Sequence, residues 1–520
     1  MTTLEFLPAP PLDDTEHQTV RALRVFGAVG AVLLAVGSVG AGAAPVVDPA
    51  LNLPVLRGLV RLPALSLGLA VAGLGMLIVG WLLMGRFVTP GRTRTAGRTD
   101  LRTTLVLWVA PLAAIPPLFS RDVYSYLAQG AITHKGLDPY TVGPAAALGR
   151  DHLMTADVSA FWRDTPAPYG PLALRLGDWI NGLTGENVVA GILLHRVVAF
   201  AGFALIVWSL PRLARFFGVE PSTALWLGAA NPLVLFHLIA GAHNDSLAIG
   251  LMMAGLALGV SKLPADGPRV RGEYLYAALG AVVITLGVAV KINAVLALPF
   301  LAVMVARRWG GRWRDLLRVA APMVTAFAVV LVGVSLGSGL GFGWIGGAIG
   351  TPGLVRSWIS PTSELAQVTG LVVKALGFGD HTTGLVKGFG LAGYAVAAVI
   401  TVRLLVLSLR GRRNPMVGLA LSLGAVMVLH VALQPWYLLW AVVPLAAATG
   451  VSRGWVAAIA AGGVLSLVVF PSGSSFAGKI DIAAFGYLGG IAAVAVALLL
   501  LRRQAPMALL NPFQALTRPE

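Results

Sequence analysis

The chain has 520 residues, of which 57% are apolar and only 12% charged, with a mean hydropathy of +0.82. That charged share is about half of what a soluble domain carries, and the apolar residues come in long runs, which excludes a soluble enzyme, a disordered chain and a fibrous repeat. There is no cysteine, hence no disulfide, Fe–S cluster, thiolate metal site or cysteine nucleophile, and the net charge of +16 must be judged by where it falls along the chain.

Residues 1–20 carry Glu5, Asp13, Asp14 and Glu16 and read as a disordered cytoplasmic tail. Fourteen apolar segments follow, near 22–42, 63–85, 103–120, 188–210, 221–240, 246–261, 274–290, 291–306, 317–339, 385–409, 415–433, 436–452, 454–471 and 482–501. Measured against the roughly 20 residues a spanning helix needs, they predict an all-α polytopic membrane bundle over 21–505, with a second tail at 506–520. The Ala41-Gly42-Ala43 stretch imitates a signal-peptidase site, but the long acidic leader and the further spans favour an uncleaved anchor.

Placing the N-terminus in the cytoplasm sorts 25 Lys and Arg against 10 Asp and Glu to the inner side, and 13 against 12 to the outer. Inner loops then hold Arg86, Arg92, Arg94, Arg98 and Arg102, the Arg307–Arg318 cluster, Arg410, Arg412, Arg413, Arg502 and Arg503. The basic excess is thus a topology signal and not a nucleic-acid patch. It predicts a multi-pass plasma-membrane protein with both termini cytoplasmic.

Few charges lie deep in a span; Arg196 and Arg403 are the clearest. A transporter would concentrate ionisable groups there. Here the informative polar residues fall in outer loops, 121–187 and 340–384 above all, where function on a rigid scaffold is often carried. Ser120-Arg121-Asp122 follows directly on an apolar segment, so Asp122 sits at the outer interface, either paired with Arg121 or as a reactive carboxylate. Asp138-Pro139 reads as a helix stop. Thr165-Pro166-Ala167-Pro168-Tyr169-Gly170-Pro171 is a stiff turn flanked by Trp162 and Trp179, whose aromatics serve either the interfacial belt or a sugar platform. His243-Asn244-Asp245 is a poor metal site, because no third ligand is near. Lys291 either snorkels or meets an anionic headgroup. Arg356, Trp358 and Lys479 add outer cations and an aromatic, and Gln434-Pro435-Trp436-Tyr437 opens a helix. No Walker A, GxSxG or HExxH motif is present.

The segments SRDVYSYLAQG (120–130), GLDPYTVGP (136–144), TPAPYGP (165–171), NPLVLFHLIAGAHND (231–245), VAVKINAVLALPF (288–300), GFGWIGG (341–347) and QPWYLLW (434–440) occur in this order. Together they resemble the polyprenyl-phosphomannose-dependent α-1,6-mannosyltransferases of mycobacteria and corynebacteria, the MptA/MptB family. The resemblance implies a GT-C-type membrane enzyme that builds the mannan backbone of lipomannan and lipoarabinomannan. It implies an active site on the outer loops 121–187 and 340–384, a polyprenyl-phosphomannose donor, and a mannosylated phosphatidylinositol or lipomannan acceptor. Asp122 matches the acidic residue of the family's first outer loop, its catalytic base. The Trp162–Pro171 stretch and the His-Asn-Asp cluster incline the chain to the proximal, MptB type.

The implied chemistry agrees with this residue inventory. A lipid phosphate leaves as a stable anion and needs no proton, so one carboxylate acting on the incoming hydroxyl suffices. A β-linked donor and an α-linked product imply inversion by single displacement. Lys291, Arg356 and His243, in that order, are expected to hold the donor phosphate. Arg121, Tyr124, Tyr169, Asn244, Asp245, Trp358 and Trp436 are expected around sugar and acceptor, with Asp245 also the alternative base. No cofactor or metal is expected, since the outer carboxylates are dispersed. The alternatives are a lipid-linked sugar flippase or transporter, and a GT-C enzyme acting on another sugar.

Overall fold

The computed structural model describes residues 12–88, 95–263, 271–350, 356–450, 452–474 and 477–505. The tails at 1–11 and 506–520, the loop arginines Arg92 and Arg94, and residues 351–355 of the second outer loop lie outside them. All regular structure among the described residues is helical. Each of the fourteen apolar segments carries helix, but among the described residues six helices are long and apolar enough to cross a membrane alone. These are Asp14–Ala41, Pro63–Gly85, Val188–Phe217, Trp313–Gly337, Thr382–Leu409 and Ile480–Gln504. A seventh crossing arises if Val234–Ala240 and Asp245–Val260, bent by 109°, count as one.

Proline accounts for many of the broken segments. Pro116-Pro117 follow the helix Arg98–Val109 and its last turn Ala110–Leu112. Pro232 separates Pro221–Gly228 from the wide turn Val234–Ala240, and Pro435 opens a tight turn ahead of Leu439–Ala446. Each removes a backbone donor and the helix stops or re-aims. One boundary differs at the N-terminus: residues 14–20, expected in the tail, form the first turns of Asp14–Ala41. The Asp13 carboxylate accepts from the Glu16 amide at 2.8 Å and Glu16 from the Asp13 amide at 3.2 Å, a reciprocal cap that starts the helix early.

Small residues let these helices touch. Asp14–Ala41 and Pro63–Gly85 cross at Gly30 and Gly73, where a Cβ on Gly73 would lie 2.4 Å from the Gly30 carbonyl oxygen. Trp81 and Trp226 stack at 4.8 Å, each indole N–H donating to the other's carbonyl. Trp313–Gly337, Thr382–Leu409 and Ile480–Gln504 turn Val329, Leu391, Val399, Phe485 and Leu488 outward. An apolar exterior on this scale suits lipid, so the chain is a membrane protein.

The loop 121–187 is a small helical unit with its own core. Asp122–His134 packs on Pro171–Thr184, with Val123, Tyr124, Leu127, Met154 and Ile180 buried between and beneath. The deep charge Arg196 is structural: its guanidinium donates to the carbonyls of Ile115, Ala240, Ile239 and Ala113 at 2.6–3.4 Å, tying down two broken helix ends.

Candidate active site

A cavity of about 810 Å³ opens where the 121–187 unit meets the elbows at 237, 291–293, 356–359, 426–437 and 465–474. Its wall includes Asp122, Arg121, Tyr169, Lys291, Arg356, Trp358 and Trp436. Residues that lie far apart in sequence thus share one wall.

Asp122 is the first residue of Asp122–His134, and its amide donates to the Ser120 hydroxyl at 3.0 Å. The segment before it is pinned from three sides: Pro117 O accepts from Ala43, the Leu118 amide donates to Ala240, and the Phe119 amide donates to Pro471. Phe119 is held at φ 65°, a left-handed conformation that a bulky side chain adopts at a cost of about 1–3 kcal/mol. Burial pushes the Asp122 carboxyl up to about 6, with Lys291 and the Ser120 hydroxyl acting in the opposite direction.

Lys291 stands in extended backbone between Arg271–Val288 and the turn Ile292–Leu296. The proline-rich turn positions it: the Gly170 and Leu172 amides donate to the carbonyls of Val290 and Ala289. Gly170 must be glycine for this approach, since a Cβ there would lie 2.2 Å from the Ala289 oxygen. The Lys291 ammonium donates to Asp245 Oδ2 at 2.7 Å and lies 5.4 Å from the centre of the Tyr437 ring.

Four expected residues do not reach the cavity wall. Asp245 is fully buried at the start of Asp245–Val260, with Lys291 on one oxygen and the Trp440 indole on the other at 2.7 Å. Both oxygens are engaged inside the protein, so in this structure it holds Lys291 and does not face the cavity. Asn244 turns away, within 3.4 Å of the Tyr126 hydroxyl. Tyr124 donates to the Ala43 carbonyl and packs in the loop core, anchoring the unit. His243 is fully enclosed and off the cavity wall, with its Nδ1 3.5 Å from Asp122 Oδ2. Arg121 lines the cavity but also braces the loop, donating to the carbonyls of Asp157 and Ala44. Arg356 donates to the Thr383 hydroxyl at 3.0 Å and remains exposed at the rim beside Trp358.

The cavity also contains His237, Tyr394, His430 and Tyr437, none of them expected in the site from sequence, where Tyr437 marks only the turn that opens a helix. His237 bonds Ser466 at 2.8 Å, and its ring centre lies 5.3 Å from that of Trp436. Its only sequence signal was a polar residue inside the apolar run 232–240. Among the described residues no three His, Asp or Glu side chains converge as metal ligands.

Two family models match this chain. One, described as "Alpha-(1->6)-mannopyranosyltransferase, N-terminal domain", covers residues 24–307; the other, "MptB C-terminal domain", covers 362–501. The chain belongs to the MptA/MptB family. A Mycolicibacterium smegmatis protein named "Probable alpha-(1->6)-mannopyranosyltransferase" is 44% identical over 85% of this chain and 82% of its own length. An alpha-(1->6)-mannopyranosyltransferase of Mycobacterium tuberculosis is 42% identical over 84% of this chain and 80% of that protein. Alpha-(1->6)-mannopyranosyltransferase B of Corynebacterium glutamicum is 35% identical over 82% of this chain and 72% of that protein. Among solved structures, an oligosaccharyltransferase of Archaeoglobus fulgidus aligns with 82% of this chain and 53% of its own, at 14% identity and a TM-score of 0.30. This chain thus spans about half the length of that protein.

Proposed function

We propose that this chain is a membrane α-1,6-mannosyltransferase of GT-C type that moves mannose from polyprenyl-phosphomannose to the growing backbone of lipomannan on the extracytoplasmic side. The observation that carries this reading is a half-buried carboxylate, Asp122, the one acidic side chain on the cavity wall among the described residues, facing the same space as the cation Lys291 and Tyr169, Trp358 and Trp436. Asp122 accepts the proton of the acceptor hydroxyl as its oxygen attacks the anomeric carbon. The bond from that carbon to the phosphate oxygen breaks, and the polyprenyl phosphate leaves as an anion. Inversion follows from attack opposite the leaving group. Lys291 and the rim cation Arg356 stabilise the charge that develops on the phosphate. Tyr169, Trp358 and Trp436 offer ring faces for sugar, and Arg121 stands beside the base. The acceptor is a mannosylated phosphatidylinositol or lipomannan, and the family-model match to the MptB C-terminal domain supports the proximal role. No step calls for a resident metal, because the leaving group is already a stable anion.

The test is mannose transfer from polyprenyl-phosphomannose to a short α-1,6-mannoside by wild type and Asp122→Asn. A lost base lowers turnover by about 100- to 10,000-fold, with donor binding retained. Wild-type turnover in the variant would remove Asp122 from the mechanism. An inactive but folded wild type would point to another sugar or acceptor.

A further inference from the structure

We infer that His243 is a positioning residue for Asp122, holding the carboxylate through its Nδ1 from inside the protein. The inference rests on the reading of Asp122 as base and adds a residue behind it. His243 has no exposed surface, and neither ring nitrogen has a hydrogen-bond partner among the described residues. A buried polar group left this way is costly, so the carboxylate beside it is informative. That carboxylate is Asp122, with Oδ2 3.5 Å from Nδ1. Catalytic hydrogen bonds are often long without substrate and tighten in the complex.

The rest of the surroundings leave the imidazole few other roles. Trp436 covers one side, its ring centre 4.2 Å away, and separates His243 from the cavity that Trp436 lines. His237 lies 6.2 Å off between ring centres, too far to bond. Lys291 and Asp245 are engaged with each other. A metal role lacks a third ligand among the described residues.

The backbone supports a built arrangement. The two described non-glycine residues at positive φ are Phe119 at 65° and Ala242 at 52°. The first lies three residues before Asp122 and the second directly before His243. Strain of this kind persists where the surroundings over-determine a conformation, and here it aims both side chains at one point. With the proton on Nδ1, the ring donates to Oδ2 and leaves Oδ1 for the acceptor hydroxyl. Misplacing the base by an ångström costs on the order of 100-fold in rate.

The experiment measures kcat and donor KM for His243→Ala, His243→Asn and His243→Gln, with Asp122→Asn and the double variant Asp122→Asn/His243→Ala. Detergent-solubilised melting checks that each is folded. His243→Ala is expected to lose on the order of 100-fold in kcat at unchanged donor KM. His243→Asn, whose amide nitrogen takes the place of Nδ1, recovers most of this, and His243→Gln, which mimics Nε2, does not. In the Asp122→Asn background His243→Ala adds nothing, since both act through one carboxylate. If the alanine variant does not fold, the Asn and Gln pair carries the comparison. Wild-type kcat in His243→Ala beside an inactive Asp122→Asn overturns this inference and leaves the base in place. Full turnover in Asp122→Asn overturns the base itself. A raised donor KM at wild-type kcat makes His243 a donor ligand, and equal losses in folded Asn and Gln variants reduce it to packing.

Discussion

Asp122 is a carboxylate whose enclosure works against its charge. Burial lifts its carboxyl to about 6, and the ammonium of Lys291 acts the other way. A base must be ionised to accept a proton, so transfer should fall as pH drops through about 6. A rate that stays flat down to about 4, the range of an ordinary carboxylate, would place the base elsewhere. Lys291 is harder to probe, because removing it strands the buried charge of Asp245, a loss of about 3–5 kcal/mol in its own right. The informative variant is Lys291→Met with Asp245→Asn, which deletes both charges. It should fold and yet lose on the order of 100-fold in donor kcat/KM. Near-wild-type donor use in that variant would return Lys291 to a structural role. At this scale the sequence showed residue type and not direction. Asp122 and Lys291 were legible because each interrupts an apolar run. Tyr124, Asn244, Asp245 and His243 were as conspicuous, but local turns aim them into the core.

The turn around Gly170 shows how one element serves another. Its amides bond the carbonyls of Ala289 and Val290 in the turn that ends helix Arg271–Val288, so the outer loop holds the residue that follows them, Lys291. Gly170→Ala drives a methyl to 2.2 Å from the Ala289 oxygen. The expected result is a loss of about 1–3 kcal/mol of stability together with reduced donor use, read from melting and donor kinetics on the same preparation. Unchanged kinetics would show that Lys291 is held from its own side alone. Proline spacing revealed that this turn is stiff. Its partner was invisible, because a backbone contact between residues 170 and 290 leaves no periodicity in either segment.

The molecule as a whole is polarised along one direction. Helix Ala297–Arg308 starts near Lys291 and ends at Arg307 and Arg308, about 18 Å away by helical rise. There Arg307 donates to the Arg413 carbonyl at 3.4 Å, which gathers two basic loops at the end opposite the cavity. By the positive-inside rule we propose that the cavity faces outward. The cysteine-free chain offers a clean test. A cysteine at Ser159, on the cavity wall, should react with an impermeant maleimide on intact cells, and one at Arg412 only after permeabilisation. The reverse pattern would invert the topology and remove the extracytoplasmic site.

The apolar runs by themselves determined a helical membrane protein, because lipid leaves backbone groups no partner outside a helix or a barrel. Seven short motifs in order pointed to the family, and the lone Asp after an apolar segment supplied the candidate for the proposed base. How many of the fourteen segments stand as straight helices was beyond composition, since proline breaks and small-residue crossings decide it. Tertiary structure alone decided that Asp245 neutralises Lys291, that Arg196 ties helix ends together, and that His237 and Tyr437 join the cavity. Each of these depends on contacts between elements far apart in the chain. Hydrophobic pattern fixes which face of a helix is buried, but not which neighbour it meets.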